Sequence, residues 1–247
     1  MGVCQLCGKE SILQKSHVIP RSLIKYIKGG DSQLHTFERY IPSTYSNYDP
    51  KEHLMCRVCE QYLSVNYEQY GTRLLKNHKN VIKHDDYIEF KNFEYQKWYL
   101  YYLSIIWRAS ISSLDDFKDI NLGGYNDILK HCILNDTLSL SETISIDECI
   151  LISMFRVTDK SKKLTDSILK KIMMNILAVK ENDDHLFFFM TNGFLVQYQL
   201  TSQILLKKKS GLKRSDASRF SKKNVKFIDI TESKVLYENL NWLFDAL

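Results

Sequence analysis

Four cysteines in two pairs constrain this chain more than any other feature. Cys4-Gln5-Leu6-Cys7-Gly8 stands near the start, and Cys56-Arg57-Val58-Cys59-Glu60 follows far downstream. Each Cys-x-x-Cys pair can offer two thiolates from one tight turn. Together Cys4, Cys7, Cys56 and Cys59 make up the tetrahedral shell of one structural Zn2+, with bonds of about 2.3 Å. The segment between the pairs must then fold back on itself, and zinc offsets that closure because a structural site contributes on the order of 10 kcal/mol. The remaining two cysteines, Cys132 and Cys149, read as small buried hydrophobes.

The rest of the composition is that of an ordinary globular protein, with 44% hydrophobic and 26% charged residues in 247 and only three Pro and nine Gly. A net charge of +5 is compatible with a polyanionic partner. The first cysteine pair opens so early that no charged segment and apolar run precede it. A secretory leader is therefore not expected, and reduced thiols and a cytoplasmic setting are. The most apolar stretch, Trp98 to Ile111, contains Arg108 and is too short to cross a bilayer, so it reads as a buried helix and no membrane partner is expected.

Along the chain, residues 1–80 read as a zinc module and 81–247 as an α+β accessory domain with helices and an antiparallel sheet. In the module, Ser11 to Val18 has the length of a strand or hairpin arm. Pro20 then starts a short helix over Arg21 to Lys28, ended by Gly29-Gly30. Asp31 to Lys51, with Pro42 and Pro50 and no steady period, reads as a long loop. From Cys56 the apolar residues recur at helical spacing as far as Leu75, so the second pair opens a helix whose N-terminal N–H groups favour thiolates.

In the second part, Tyr87 to Phe90 alternates like a strand, and Glu94 to Ser112 is apolar around most of a helix, which predicts a helix surrounded by protein. A short helix is expected over Tyr125 to Ile133 and a buried strand over Cys149 to Phe155. His185 to Met190 and Phe194 to Leu200 flank Thr191-Asn192-Gly193, which predicts a hairpin. A last strand is expected over Val225 to Ile230, followed by a helix over Glu232 to Phe244 capped by Thr231.

The run Lys15-Ser16-His17-Val18-Ile19-Pro20, placed between a Cys-x-x-Cys knuckle and a second pair that opens a helix, resembles the HNH endonuclease family of the ββα-metal type. The resemblance covers residues 4 to about 70. In detail it resembles a subgroup written SH(I/V)IP with a C-x-x-C-E helix start, found in uncharacterised bacterial proteins and antiviral defence loci. It implies a zinc-braced ββα-metal, treble-clef-like module acting on DNA. His17 is then the general base that deprotonates the attacking water, and Glu60, just after the second pair, is a ligand of a catalytic Mg2+ or Mn2+. The chain departs from the pattern at Ser16, where the family has a metal-binding Asp, and it has no counterpart to the central Asn, with His53 in that strand region.

Basic residues add a second line. Lys15, Arg21, Lys25 and Arg57 flank the motif as candidate phosphate contacts, and Lys213 and Arg214 belong to a lysine-rich run from Lys207 to Lys226 that could neutralise phosphates or form a solvated face. Three readings stay open: a metal-dependent DNA endonuclease, a decayed zinc-stabilised module that binds nucleic acid or protein, and a defence-complex subunit activated by a partner. The accessory part would supply DNA contacts, homo-oligomerisation or recruitment.

Overall fold

The computed structural model describes residues 1–28, 34–38, 41–46, 49–76, 78–181, 184–200 and 221–241. The chain opens with β1 (Gly2–Val3) and β2 (Glu10–Ser11), which pair across the knuckle, and continues into β3 (Leu13–His17). After Ser-His-Val-Ile-Pro the backbone turns into α1 (Arg21–Lys28), where the Pro20 carbonyl accepts from Leu23 N and Ile24 N and Leu23, Ile24 and Ile27 face inward.

The expected long loop over 31–51 is not what the described residues form. They contain two strands, β4 (Leu34–Glu38) and β5 (Ile41–Ser46). Pro42 had argued against a strand, but β5 lies at the edge of its sheet, the position where a residue without an N–H is tolerated.

Next come β6 (Lys51–Cys56) and α2 (Arg57–Leu63), so the second cysteine pair does open a helix. A π-helical stretch, Ser64–Glu68, carries the path into α3 (Gln69–Lys76). Beyond it lie β7 (Val81–Lys83), β8 (Tyr87–Lys91) and α4 (Tyr95–Ile111). As its sequence predicts, α4 is buried on all sides, from Trp98 through Ala109.

Among the described residues there follow α5 (Tyr125–Leu134), α6 (Ile146–Cys149), β9 (Ile150–Thr158), α7 (Asp166–Lys171), β10 (Met173–Glu181), β11 (Asp184–Thr191), β12 (Phe194–Leu200), β13 (Lys222–Asp229) and α8 (Lys234–Leu240). The β11–β12 hairpin turns at Asn192 and Gly193, whose φ values of 54° and 73° are those of a primed turn. The C-terminal helix is capped by Ser233, whose hydroxyl accepts from Leu236 N. Thr231, the cap expected from sequence, sits one turn earlier in a 3-10 segment that Asp229 caps. Residues 242–244 of the expected helix lie outside the described residues, as do Lys213 and Arg214.

Among the described residues, nine strands form one mixed sheet in the order β5-β4-β10-β11-β12-β9-β13-β8-β7, antiparallel except where β4 meets β10 and β13 meets β9. Alternation along β11 shows how both faces are used. Phe187 and Phe189 join the core that holds α4, while Leu186, Phe188 and Met190 join a second cluster with Leu169 of α7 and Leu236 and Leu240 of α8. The first core runs without a break from Cys4 to Val225. A separate two-stranded ribbon, β3–β6, precedes α2 and gives a β-β-α unit at the edge of that core. No described helix is long and apolar enough to cross a membrane.

Candidate metal centre and the His17 ribbon

The knuckle begins with two backbone bonds: Gly8 N donates to the Cys4 carbonyl at 2.8 Å, and Cys4 N donates to the Lys9 carbonyl at 2.9 Å. Closing so tight a turn requires φ of 73° at Gly8, a conformation open to glycine without a Cβ penalty. Cys56 ends β6 and is the N-cap of α2, and Cys59 lies in the first turn of that helix.

The four sulfur atoms all lie within 4.8 Å of one another, with Cys7 Sγ 4.0 Å from Cys56 Sγ. A tetrahedral zinc–thiolate shell has S···S edges of about 3.8 Å, so the cluster is arranged to hold a metal ion such as zinc. Cys56 N also donates to Cys4 Sγ at 3.3 Å. Burial pushes the Cys4 thiol up, but hydrogen bonds from the Cys7 and Cys56 backbones outweigh it and bring its pKa down to about 7. Burial and hydrogen bonds to the other thiols push Cys59 the opposite way, so the lowered pKa of Cys4 reflects one shared negative charge among the sulfurs, and a metal would have to displace the remaining protons.

The ribbon pairs Lys15 with His53, Ser16 with Glu52 and His17 with Lys51. Because side chains alternate across a strand, Lys15, His17, Lys51 and His53 share its outer face, and Ser16 and Glu52 share the inner one. On the inner face, the fully buried Ser16 hydroxyl accepts from Met55 N at 3.2 Å, and the Glu52 carboxylate accepts from the Ser112 and Ser113 hydroxyls at the end of α4. Arg108 of α4, 1% exposed, completes the attachment. Its Nη1 donates to the His17 carbonyl at 2.9 Å and to Glu68 Oε1 at 2.8 Å, and its Nε donates to the Ser104 carbonyl. Glu68 belongs to the π-helical stretch, so this irregular turn carries the carboxylate that neutralises a buried cation.

His17 is half-buried. Its Nε2 lies 2.9 Å from Asp49 Oδ1, an ion-pair distance without well-directed hydrogen-bond geometry. Asp49 also pairs with Lys51. Burial lowers the pKa of His17 below its usual value; the Asp49 charge opposes this, and Lys51 and Arg21 reinforce it. The neutral form of the imidazole is thus favoured.

Glu60 sits on the other side of β3. The Ser16 hydroxyl and Arg108 face its carboxylate, but burial outweighs them and raises its pKa, and Oε1 is enclosed with no hydrogen-bond partner. Lys15, Arg21, Lys25 and Arg57 are all exposed, and no acidic partner holds any of them among the described residues.

Asp49 carries no signal in the sequence. It precedes Pro50 in a polar run, and only the β3–β6 register brings it to His17. Apart from the four cysteines, no group of three or more His, Cys, Asp or Glu side chains converges among the described residues. Comparison with protein families, curated proteins and solved structures finds no match.

Proposed function

We propose that the chain is an HNH-type endonuclease that hydrolyses phosphodiester bonds in DNA, with His17 as the general base. One observation carries this reading: His17 is a neutral imidazole held against Asp49 at the end of a ribbon that the cysteine cluster braces and exposed cations surround. A proton on Nε2, facing the carboxylate, leaves Nδ1 to accept a proton from water as its oxygen attacks phosphorus. The 3′ oxygen leaves with the bonding pair. Lys15, Arg21 and Lys25 favour the anionic phosphate near the imidazole without contacting the bases.

The resemblance also implies a catalytic Mg2+ or Mn2+, and the residues present do not fit one. Glu60 offers a single carboxylate, Ser16 stands where the family has a second, and no group of three or more His, Cys, Asp or Glu side chains includes Glu60 among the described residues. That observation favours a second reading, a zinc-braced module that binds nucleic acid without cutting it.

The test uses purified chain, supercoiled plasmid, and Mg2+ and Mn2+ in parallel. Under the nuclease reading, wild type nicks DNA and His17→Ala cuts about 100-fold more slowly or worse, with zinc content and circular dichroism unchanged. If DNA binds but wild type and His17→Ala give the same absence of cutting, the nuclease reading fails and the binding module stands.

A further inference from the structure

The cysteine cluster has one open side. Cys4, Cys56 and Cys59 are 0%, 7% and 5% exposed and belong to the apolar core, whereas Cys7 is partly exposed and only packs against it. Gly8 follows Cys7 in the knuckle, and a Cβ there would meet nothing within 4 Å. A small solute therefore meets Cys7 before any other thiol of the cluster.

A partner for Cys7 is already in contact. Cys7 Sγ lies 4.0 Å from Cys56 Sγ, across a sequence separation of 49 residues. A disulfide bond is about 2.0 Å long, so forming one asks each sulfur to move by only about 1 Å. Cys4 Sγ is instead held by the donor Cys56 N. Outside the cluster, Cys132 and Cys149 are both buried, and burial pushes the Cys132 thiol up to about 11 and raises that of Cys149. Neither offers a reactive thiolate to compete.

We propose that the cluster is a reversible redox switch responding to hydrogen peroxide, in which Cys7 and Cys56 join as a disulfide and the metal is released. The Cys7 thiolate attacks one peroxide oxygen, takes it up as a sulfenic acid and expels hydroxide. The Cys56 thiolate then attacks the Cys7 sulfur and expels the second hydroxide. Two electrons pass from the sulfur pair to the peroxide. Only Cys4 and Cys59 remain as thiolates, too few for a structural zinc site.

The link between the two cysteine pairs thus changes from a metal to a disulfide. Cys56 ends β6 and caps α2, so the switch acts at the joint between the His17 ribbon and its helix. It does not rest on the nuclease reading, because neither His17 nor a phosphate takes part.

The test uses the full chain, reduced and loaded with zinc, then treated with one equivalent of hydrogen peroxide. Released zinc is read with a chromogenic chelator, and thiols are mapped by alkylation and mass spectrometry. Zinc is expected to leave in step with a disulfide joining Cys7 to Cys56, with Cys132 and Cys149 still free, and dithiothreitol with fresh zinc should restore the metal-bound chain. Cys7→Ser, lacking the accessible thiol, should be oxidised about tenfold or more slowly. Cys132→Ala/Cys149→Ala should respond as wild type does. The mapping on wild type decides the matter even if a variant fails to fold. The proposal is overturned if the chain takes up no zinc, if zinc stays bound in excess peroxide, or if the first disulfide forms within Cys4–Cys7 or Cys56–Cys59. Oxidation that dithiothreitol cannot reverse overturns it equally.

Discussion

Opposing influences meet on the His17 imidazole. Burial lowers its pKa, Asp49 raises it, and Lys51 and Arg21 lower it again, leaving it below 6.5. A general base works when deprotonated, so the proposed activity should rise with pH through a midpoint below 6.5, and NMR titration of His17 should give the same value. Asp49→Asn removes the influence that raises the pKa. It should move the midpoint further to acid and, by releasing the ring, lower the plateau rate by on the order of 100-fold. A midpoint that moves toward alkaline pH in this variant contradicts the assignment. Stability follows the same sign: with the folded pKa depressed, the contribution of His17 is present above 6.5 and is lost as pH falls through the folded value. At this scale the cysteine cluster was legible because each of its pairs follows a local spacing. Asp49 was not, because a strand register that brings distant residues together leaves no local trace.

Among the elements, α4 is the one around which the others pack. Trp98, Tyr99, Tyr101, Tyr102 and Trp107 are all 1% exposed or less, and the Tyr198 hydroxyl of β12 donates to the Tyr102 carbonyl. It also packs against α3, where Gly71 leaves room for the Tyr101 ring; a Cβ at Gly71 would run into that ring. Gly71→Ala should therefore destabilise the fold by about 1–3 kcal/mol in urea unfolding, despite the better helix propensity of alanine. A stabilised variant would mean that the two helices separate more easily than their packing indicates. The all-round apolarity of α4 and the Asn-Gly turn of β11–β12 made those elements readable from sequence. Two others were obscured. Pro42 masked β5, whose place at the sheet edge depends on partners far along the chain, and Ser233 and Thr231 are both good caps, so the choice between them fell to Asp229, which caps the earlier turn.

For the whole molecule, the cysteine cluster and the sheet share one core. Cys4, Cys56 and Cys59 belong to the same apolar cluster as Trp98, Phe189 and Val225. If zinc fills the cluster, stripping it with a chelator should therefore unfold more than the knuckle. The expected result is a single calorimetric transition lowered by about 10 °C or more, given that 1 kcal/mol moves a domain of this size by about 2–4 °C. Two separated transitions, with the later one unmoved, would mean that the cysteine unit melts alone. The parallel pairing of Thr36 with Met173 has a consequence for how this molecule is made. On the ribosome, all four cysteines emerge early and can close around a metal, while β4 waits with one edge bare until β10 has been synthesised. Folding is then paced by a contact between the first and last thirds of the chain, which favours a slow final step. The interval before it, with an unpaired strand exposed, is when self-association is the main competitor to the native sheet.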